Sequence, residues 1–106
     1  MKNVSLRQLR VFASVAKHLS FARAAEELNL SPPAVSMQIK ELEVEVGLPL
    51  FDRTSRKVSL TTVGEYLLAY TRRVLVAMRD AEDVVARFGG EEFALRSPQP
   101  AAQLAS

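Results

Sequence analysis

Apolar positions along the chain fall into four blocks of helical spacing, with one short alternating stretch between the third and the fourth. In the first block Leu6, Leu9, Phe12, Ala13, Val15 and Ala16 make a stripe running to about His18. Ser5 and Gln8 precede it in the form of a capping box, each side chain placed to satisfy a backbone N–H of the first turn. Arg7 and Arg10 lie off the stripe, where they could touch phosphate. In the second block Phe21, Ala24, Ala25 and Leu28 form the buried side of a helix that Ser20 can cap. The paired alanines let another helix pack close across it, and Asn29 tolerates the left-handed conformation that ends a helix.

The third block has the most explicit start. Ser31 is a good N-cap, and Pro32 at the first helical position gives up an N–H that has no intrahelical partner. Val35, Ile39 and Leu42 are its apolar stripe, and the helix runs from about Pro32 to Val46, where Gly47 stops it and Pro49 prevents continuation. Its opposite face carries Pro33, Ser36, Met37 and Lys40, with no carboxylate before Glu41, which suits a helix end that approaches an anion. Glu41, Glu43 and Glu45 follow at i, i+2 spacing and read as solvated surface. Only about three residues separate Leu28 from Ser31, so the second and third helices match a helix-turn-helix.

Leu48, Leu50 and Phe51 are predicted to anchor the chain back onto the core. From Phe51 to Leu60 the pattern is a short hairpin, with Val58 and Leu60 alternating with polar residues and Arg53, Arg56 and Lys57 at its tip. Alone, such a tip reads equally as ordinary surface charge or as a DNA-contacting wing; beside a helix-turn-helix the wing is favoured. Thr61 or Thr62 then caps the last block. Val63, Leu67, Tyr70, Val74, Ala77, Ala81, Val84 and Phe88 are spaced 4-3-4-3-4-3-4, a heptad stripe over about 26 residues. At ~1.5 Å per residue this helix is some 40 Å long. Leu68, Leu75, Met78 and Val85 broaden its apolar surface beyond what the first 60 residues can cover, which argues for pairing with a second copy rather than folding back. Gly89-Gly90 should end it, and 91–106, with Pro98, Pro100 and no periodicity, is expected to be a disordered tail, linker or cloning remnant.

Composition narrows the chemistry. Residues 1–60 hold nine Lys/Arg against six Asp/Glu, and 61–106 hold five against six, so the overall +2 is +3 on the helix-turn-helix half and −1 on the other. With no cysteine, disulfides, thiolate metal sites and a Cys nucleophile are excluded. His18 is the single histidine and has no partner set for catalysis. There is no Gly-rich phosphate loop, no HExxH and no clustered ligand set, so the sequence argues against an enzyme, a metal site or a cofactor. No apolar run approaches the roughly 20 residues that span a membrane, and no signal-peptide core opens the chain, so the expected compartment is the cytoplasm.

The pattern resembles the DNA-binding domain of LysR-type bacterial transcriptional regulators. The resemblance is carried by Leu6-Arg7-Gln8-Leu9, Phe12, Val15-Ala16, Ser20-Phe21, Arg23-Ala24-Ala25 and Leu28. It continues through Ser31, Pro33-Ala34-Val35-Ser36, Gln38-Ile39-Lys40, Leu42-Glu43, Gly47, Leu50-Phe51, Arg53, Leu60-Thr61 and Gly64. The run from Arg23 to Gln38 is most similar to regulators of carbon-dioxide-fixation operons.

The resemblance implies a mainly α fold: a winged helix-turn-helix over 1–60, then a dimerising linker helix over 61–90. It implies a homodimer on partly palindromic double-stranded DNA, with Pro32, Pro33, Ser36 and Met37 where the family reads bases. Pro and Met offer no strong donor, so contact with a thymine methyl is the expected readout there. Several relatives carry Gln and Arg at the positions of Pro32 and Met37, so DNA shape and the wing are expected to weigh more here. Ser20 and Ser31 would donate to phosphates, Gln38 and Lys40 would reach backbone or base, and Arg53, Arg56 and Lys57 would take phosphate or minor groove. A two-lobed effector domain normally follows; the chain stops before one, so an isolated DNA-binding fragment without effector ligand is expected. Two other readings compete: a winged helix of the molybdate-responsive type, and a winged-helix protein-interaction module that binds no DNA. The long heptad helix counts against the first, and the basic wing and carboxylate-free helix start count against the second.

Overall fold

Why the second and third helices sit as they do is visible at their ends. In a computed structural model that describes residues 3–88, the elements in chain order are α1 (Leu6–His18), α2 (Phe21–Leu28), α3 (Pro32–Val46), β1 (Phe51–Asp52), β2 (Ser59–Leu60) and α4 (Thr62–Phe88). Ser5 caps α1 in a complete capping box: its hydroxyl accepts from the Gln8 N–H at 3.1 Å, and the Gln8 side chain accepts from the Ser5 N–H at 3.0 Å. Leu19 then turns left-handed (φ 48°), Asn29 does the same after α2 (φ 56°), and Gly47 closes α3 (φ 88°). The first two reversals fold α1, α2 and α3 onto one another and the third turns the chain into the wing, giving a mainly helical winged helix-turn-helix.

Phe12, Val15, Ala24, Val35, Ile39, Leu42 and Leu50 are fully buried at the centre. On α1 the buried face is centred on Gln8, Val11, Phe12 and Val15, while Leu6, Leu9 and Ala13 are only half-buried. Val11 was outside the predicted stripe because two of its flanking core positions are polar. Gln8 is buried through its capping role, and Ser14 through a hydroxyl that donates to Glu27 Oε1 at 2.5 Å. Glu27 also takes Lys17 Nζ at 2.9 Å and lies 3.3 Å from His18 Nε2, tying the end of α1 to α2.

The Ser14 hydrogen bond, with help from Lys17 and His18, holds the Glu27 carboxyl down from 4.5 to about 2. A depressed carboxyl contributes stability that is present above its unfolded value and is lost as pH falls through the folded one. Urea unfolding should therefore lose stability between pH 4.5 and about 2 more steeply in the natural chain than in Glu27→Gln. Equal slopes would show that Glu27 is not linked to folding.

The wing is a minimal antiparallel pair, Phe51 opposite Leu60 and Asp52 opposite Ser59. Leu50 and Phe51 anchor it in the core, but Leu48 does not: it is 53% exposed. The turn at Gly47 leaves Leu48 on the outside, and the grip comes one step later from an unexpected group. Glu43, read from its spacing as solvated, is half-buried, and its Oε2 accepts from the N–H groups of Leu50 at 2.7 Å and Phe51 at 3.4 Å. Of the two candidate caps of α4, Thr61 is the one used. Its hydroxyl accepts from the Gly64 N–H at 3.0 Å and donates to the Pro49 carbonyl at 2.8 Å.

The described residues divide into two compact units between Arg73 and Val74. Within the first, Val63, Leu67 and Leu68 of α4 pack against the core, and Thr71 is buried with a hydroxyl that has no partner among the described residues. The expected Gly89-Gly90 stop and the expected tail over 91–106 lie outside the described residues.

Candidate nucleic-acid interface

The start of α3 is built as a prow. Ser31 Oγ accepts from the Ala34 N–H at 3.3 Å, which fixes the cap and leaves the hydroxyl proton free to donate outward. Ser31, Pro32, Pro33, Met37 and Lys40 are exposed, and Ser36 and Gln38 are half-buried. Met37, at 61% exposure, is a large apolar side chain presented to solvent while Val35 and Ile39 on either side of it are fully buried. Helical spacing puts Pro33, Ser36, Met37 and Lys40 on one face, so three of the four predicted base readers share a surface with Lys40 and no acidic neighbour before Glu41.

Ser20 repeats the arrangement at α2, accepting from the Arg23 N–H at 3.1 Å. The wing approaches this end. A cleft of about 500 Å³ is lined by Leu19, Ser20, Phe21, Arg56, Lys57 and Val58, bringing one predicted phosphate donor together with two of the wing cations. The wing turn is stiffened by Asp52, whose Oδ1 accepts from the Thr54 N–H at 2.9 Å and hydroxyl at 2.6 Å. Those bonds lower the Asp52 pKa and leave the carboxylate facing its own turn. Both ion pairs among the described residues fall on Glu27, so Arg53, Arg56 and Lys57 carry charge that no acid neutralises. Arg53 lies over the ring of Phe21, 4.0 Å from its centroid, a contact the sequence pattern did not suggest.

On α4 the predicted dimerisation set divides. Val63 and Leu67 are half-buried on the domain's own core. Tyr70, Val74, Ala77, Ala81, Val84 and Phe88 are exposed, Tyr70 by 62% and Val74 by 40%. Tyr66, one turn before Tyr70, is also exposed and stands outside the heptad spacing. Among the described residues, no cluster of His, Cys, Asp or Glu could hold a metal, and no helix is long and apolar enough to cross a membrane.

Residues 6–65 match the bacterial regulatory helix-turn-helix proteins of the lysR family. The chain belongs to the LysR family. Among LysR-type relatives it is 51% identical over 88 residues to the RuBisCO operon transcriptional regulator of Allochromatium vinosum, a match covering 83% of this chain and 29% of that protein. It is 49% identical over 83 residues to the HTH-type transcriptional regulator CfxR of Cupriavidus necator, covering 78% and 26%. The chain thus spans less than a third of the length of these relatives. Its fold superposes with a TM-score of 0.78 and 33% identity on the BenM DNA-binding domain in a complex with catB site 1 DNA, covering 82% of this chain and 97% of that one. These LysR relatives are transcriptional regulators rather than enzymes.

Proposed function

We propose that this chain is the operator-binding part of a LysR-type regulator, acting in the cytoplasm as a homodimer on partly palindromic duplex DNA. The observation that carries the reading is the exposed, carboxylate-free start of α3 beside a wing whose cations have no acidic partners among the described residues. The N-terminal turn of α3 enters the major groove. Its positive dipole end lies near a phosphate, but the donors there are side chains: Pro32 and Pro33 have no N–H, and those of Ala34 and Val35 are taken by Ser31, so the hydroxyls of Ser31 and Ser20 donate to the backbone. Pro32, Pro33, Ser36 and Met37 face base edges, with thymine methyls as the natural partners of the prolines and the methionine. Gln38 and Lys40 reach backbone or base, and Arg53, Arg56 and Lys57 take phosphate or minor groove.

A second copy pairs along the exposed stripe of α4 from Tyr70 to Phe88, with Tyr66 extending it in place of Val63 and Leu67. The likeness to regulators of RuBisCO operons makes sites upstream of such operons the first natural DNA to try.

The test is selection from a random duplex pool at moderate salt, with sequencing of the bound fraction. An enriched inverted repeat is expected, its half-site spacing reporting the dimer geometry. Ser36→Ala should then change preference at particular base pairs; an equal loss on every sequence would remove Ser36 from the reading set. No retained DNA at all would overturn the proposal.

A further inference from the structure

Arg53 is held by a ring where arginines are more often held by a carboxylate. Its guanidinium carbon lies 4.0 Å from the centroid of Phe21. Phe21 is itself braced: its ring meets Phe51 nearly edge-on at 5.8 Å, and Phe51 meets the fully buried Phe12 at 5.5 Å. Phe51 is also the wing residue two before Arg53, so the ring that carries the cation and the strand that delivers it are fixed to the same core aromatic.

We propose that Phe21 is a positioning residue for DNA binding, holding Arg53 as a ready-made phosphate contact beside the start of α2. The inference rests on the reading of the wing as a phosphate contact and adds the group that aims it.

Three physical points support it. A ring attracts the cation through its quadrupole without neutralising it, so the full charge stays available to phosphate, which an ion pair would not allow. The N–H donors of a guanidinium lie in its plane, so a guanidinium resting on a ring by its face keeps its edges for a phosphate. A long exposed side chain already confined before binding loses less freedom on binding. The neighbouring acid is turned to its own loop: Asp52 Oδ1 accepts from Thr54, and both ion pairs among the described residues fall on Glu27 rather than on Asp52.

The experiment is a double-mutant cycle in the 106-residue chain with Phe21→Leu, Phe21→Tyr and Arg53→Ala, measuring affinity for one fixed mixed-sequence duplex across a salt series. Arg53→Ala should weaken binding and lower the salt slope by about one. Phe21→Leu, which keeps apolar bulk, should weaken binding about threefold to tenfold, while Phe21→Tyr should bind like the natural chain. Added to Arg53→Ala, Phe21→Leu should cost nothing more. By NMR, the Arg53 side-chain protons should be shifted upfield by the ring in the natural chain and in Phe21→Tyr, and not in Phe21→Leu.

If Phe21→Leu weakens binding equally with and without Arg53, Phe21 is merely structural and the inference falls. It falls too if Arg53→Ala weakens binding and Phe21→Leu does not, or if the natural chain shows no ring shift. If Arg53→Ala leaves affinity and slope unchanged, the phosphate role of the wing falls, and the positioning role with it.

Discussion

Gly64→Ala should lower the unfolding free energy by roughly 1–3 kcal/mol, the range of a forced overpacking in a closed site. Gly64 is buried in the first turn of α4, where a methyl group would overlap the Leu50 carbonyl oxygen and come within 2.9 Å of Leu60 Cδ2. Neither neighbour yields easily. The Leu50 carbonyl accepts from the Thr61 N–H at 3.0 Å, the Leu50 N–H is held by Glu43 at 2.7 Å, and the Leu50 side chain is fully buried. The strain is relieved only by lifting α4, which pulls Thr61 away from the Pro49 carbonyl and disturbs the wing pairing at Leu60.

The sign makes the test sharp. Inside a helix, alanine is ordinarily better than glycine by about 0.5–1 kcal/mol, so an unconstrained Gly64 would be improved by the change. Urea unfolding of the two chains decides it: a stabilised Gly64→Ala would show that α4 does not close on the wing as described.

Gly64 also marks where sequence pattern stops being informative. The helices were legible because each carries its own punctuation: Ser5 with Gln8, Ser20, Ser31 with Pro32, Asn29 and Gly47 all act within a few residues of themselves. The exposed face of the candidate site at the start of α3 was legible for the same reason, since it is set by the position of Val35, Ile39 and Leu42. What escaped depends on where the chain goes after a turn. Glu43 looks like any surface carboxylate until the chain returns at Leu50, and Leu48 looks like a core residue until the Gly47 turn leaves it outside. Arg53 over Phe21 joins residues 32 positions apart, which no local spacing encodes. On α4 the heptad count took Val63 and Leu67 as seam, but near the domain a helix has a second surface to satisfy.

Val74→Glu should convert the proposed dimer to monomer in sedimentation and weaken operator binding by about a hundredfold, the scale lost when two linked sites become one. Val74 is 40% exposed in the single chain, so a glutamate there meets water and should leave monomer stability nearly unchanged. In a two-fold dimer the same substitution acts twice, placing a carboxylate from each copy in an apolar seam where neither has a hydrogen-bond partner. Val76→Glu is the matched control. Val76 is 47% exposed, two residues further on, and about 200° around the helix from Val74. It should stay dimeric with its operator affinity intact. The two results together locate the seam. Monomer from Val74→Glu alone places it on the stripe from Tyr70 to Phe88; monomer from both variants would mean that pairing depends on the apolar content of α4 rather than on one face. A dimer that survives Val74→Glu would remove this stripe from the interface, and the spacing of half-sites would then have to be set by another surface.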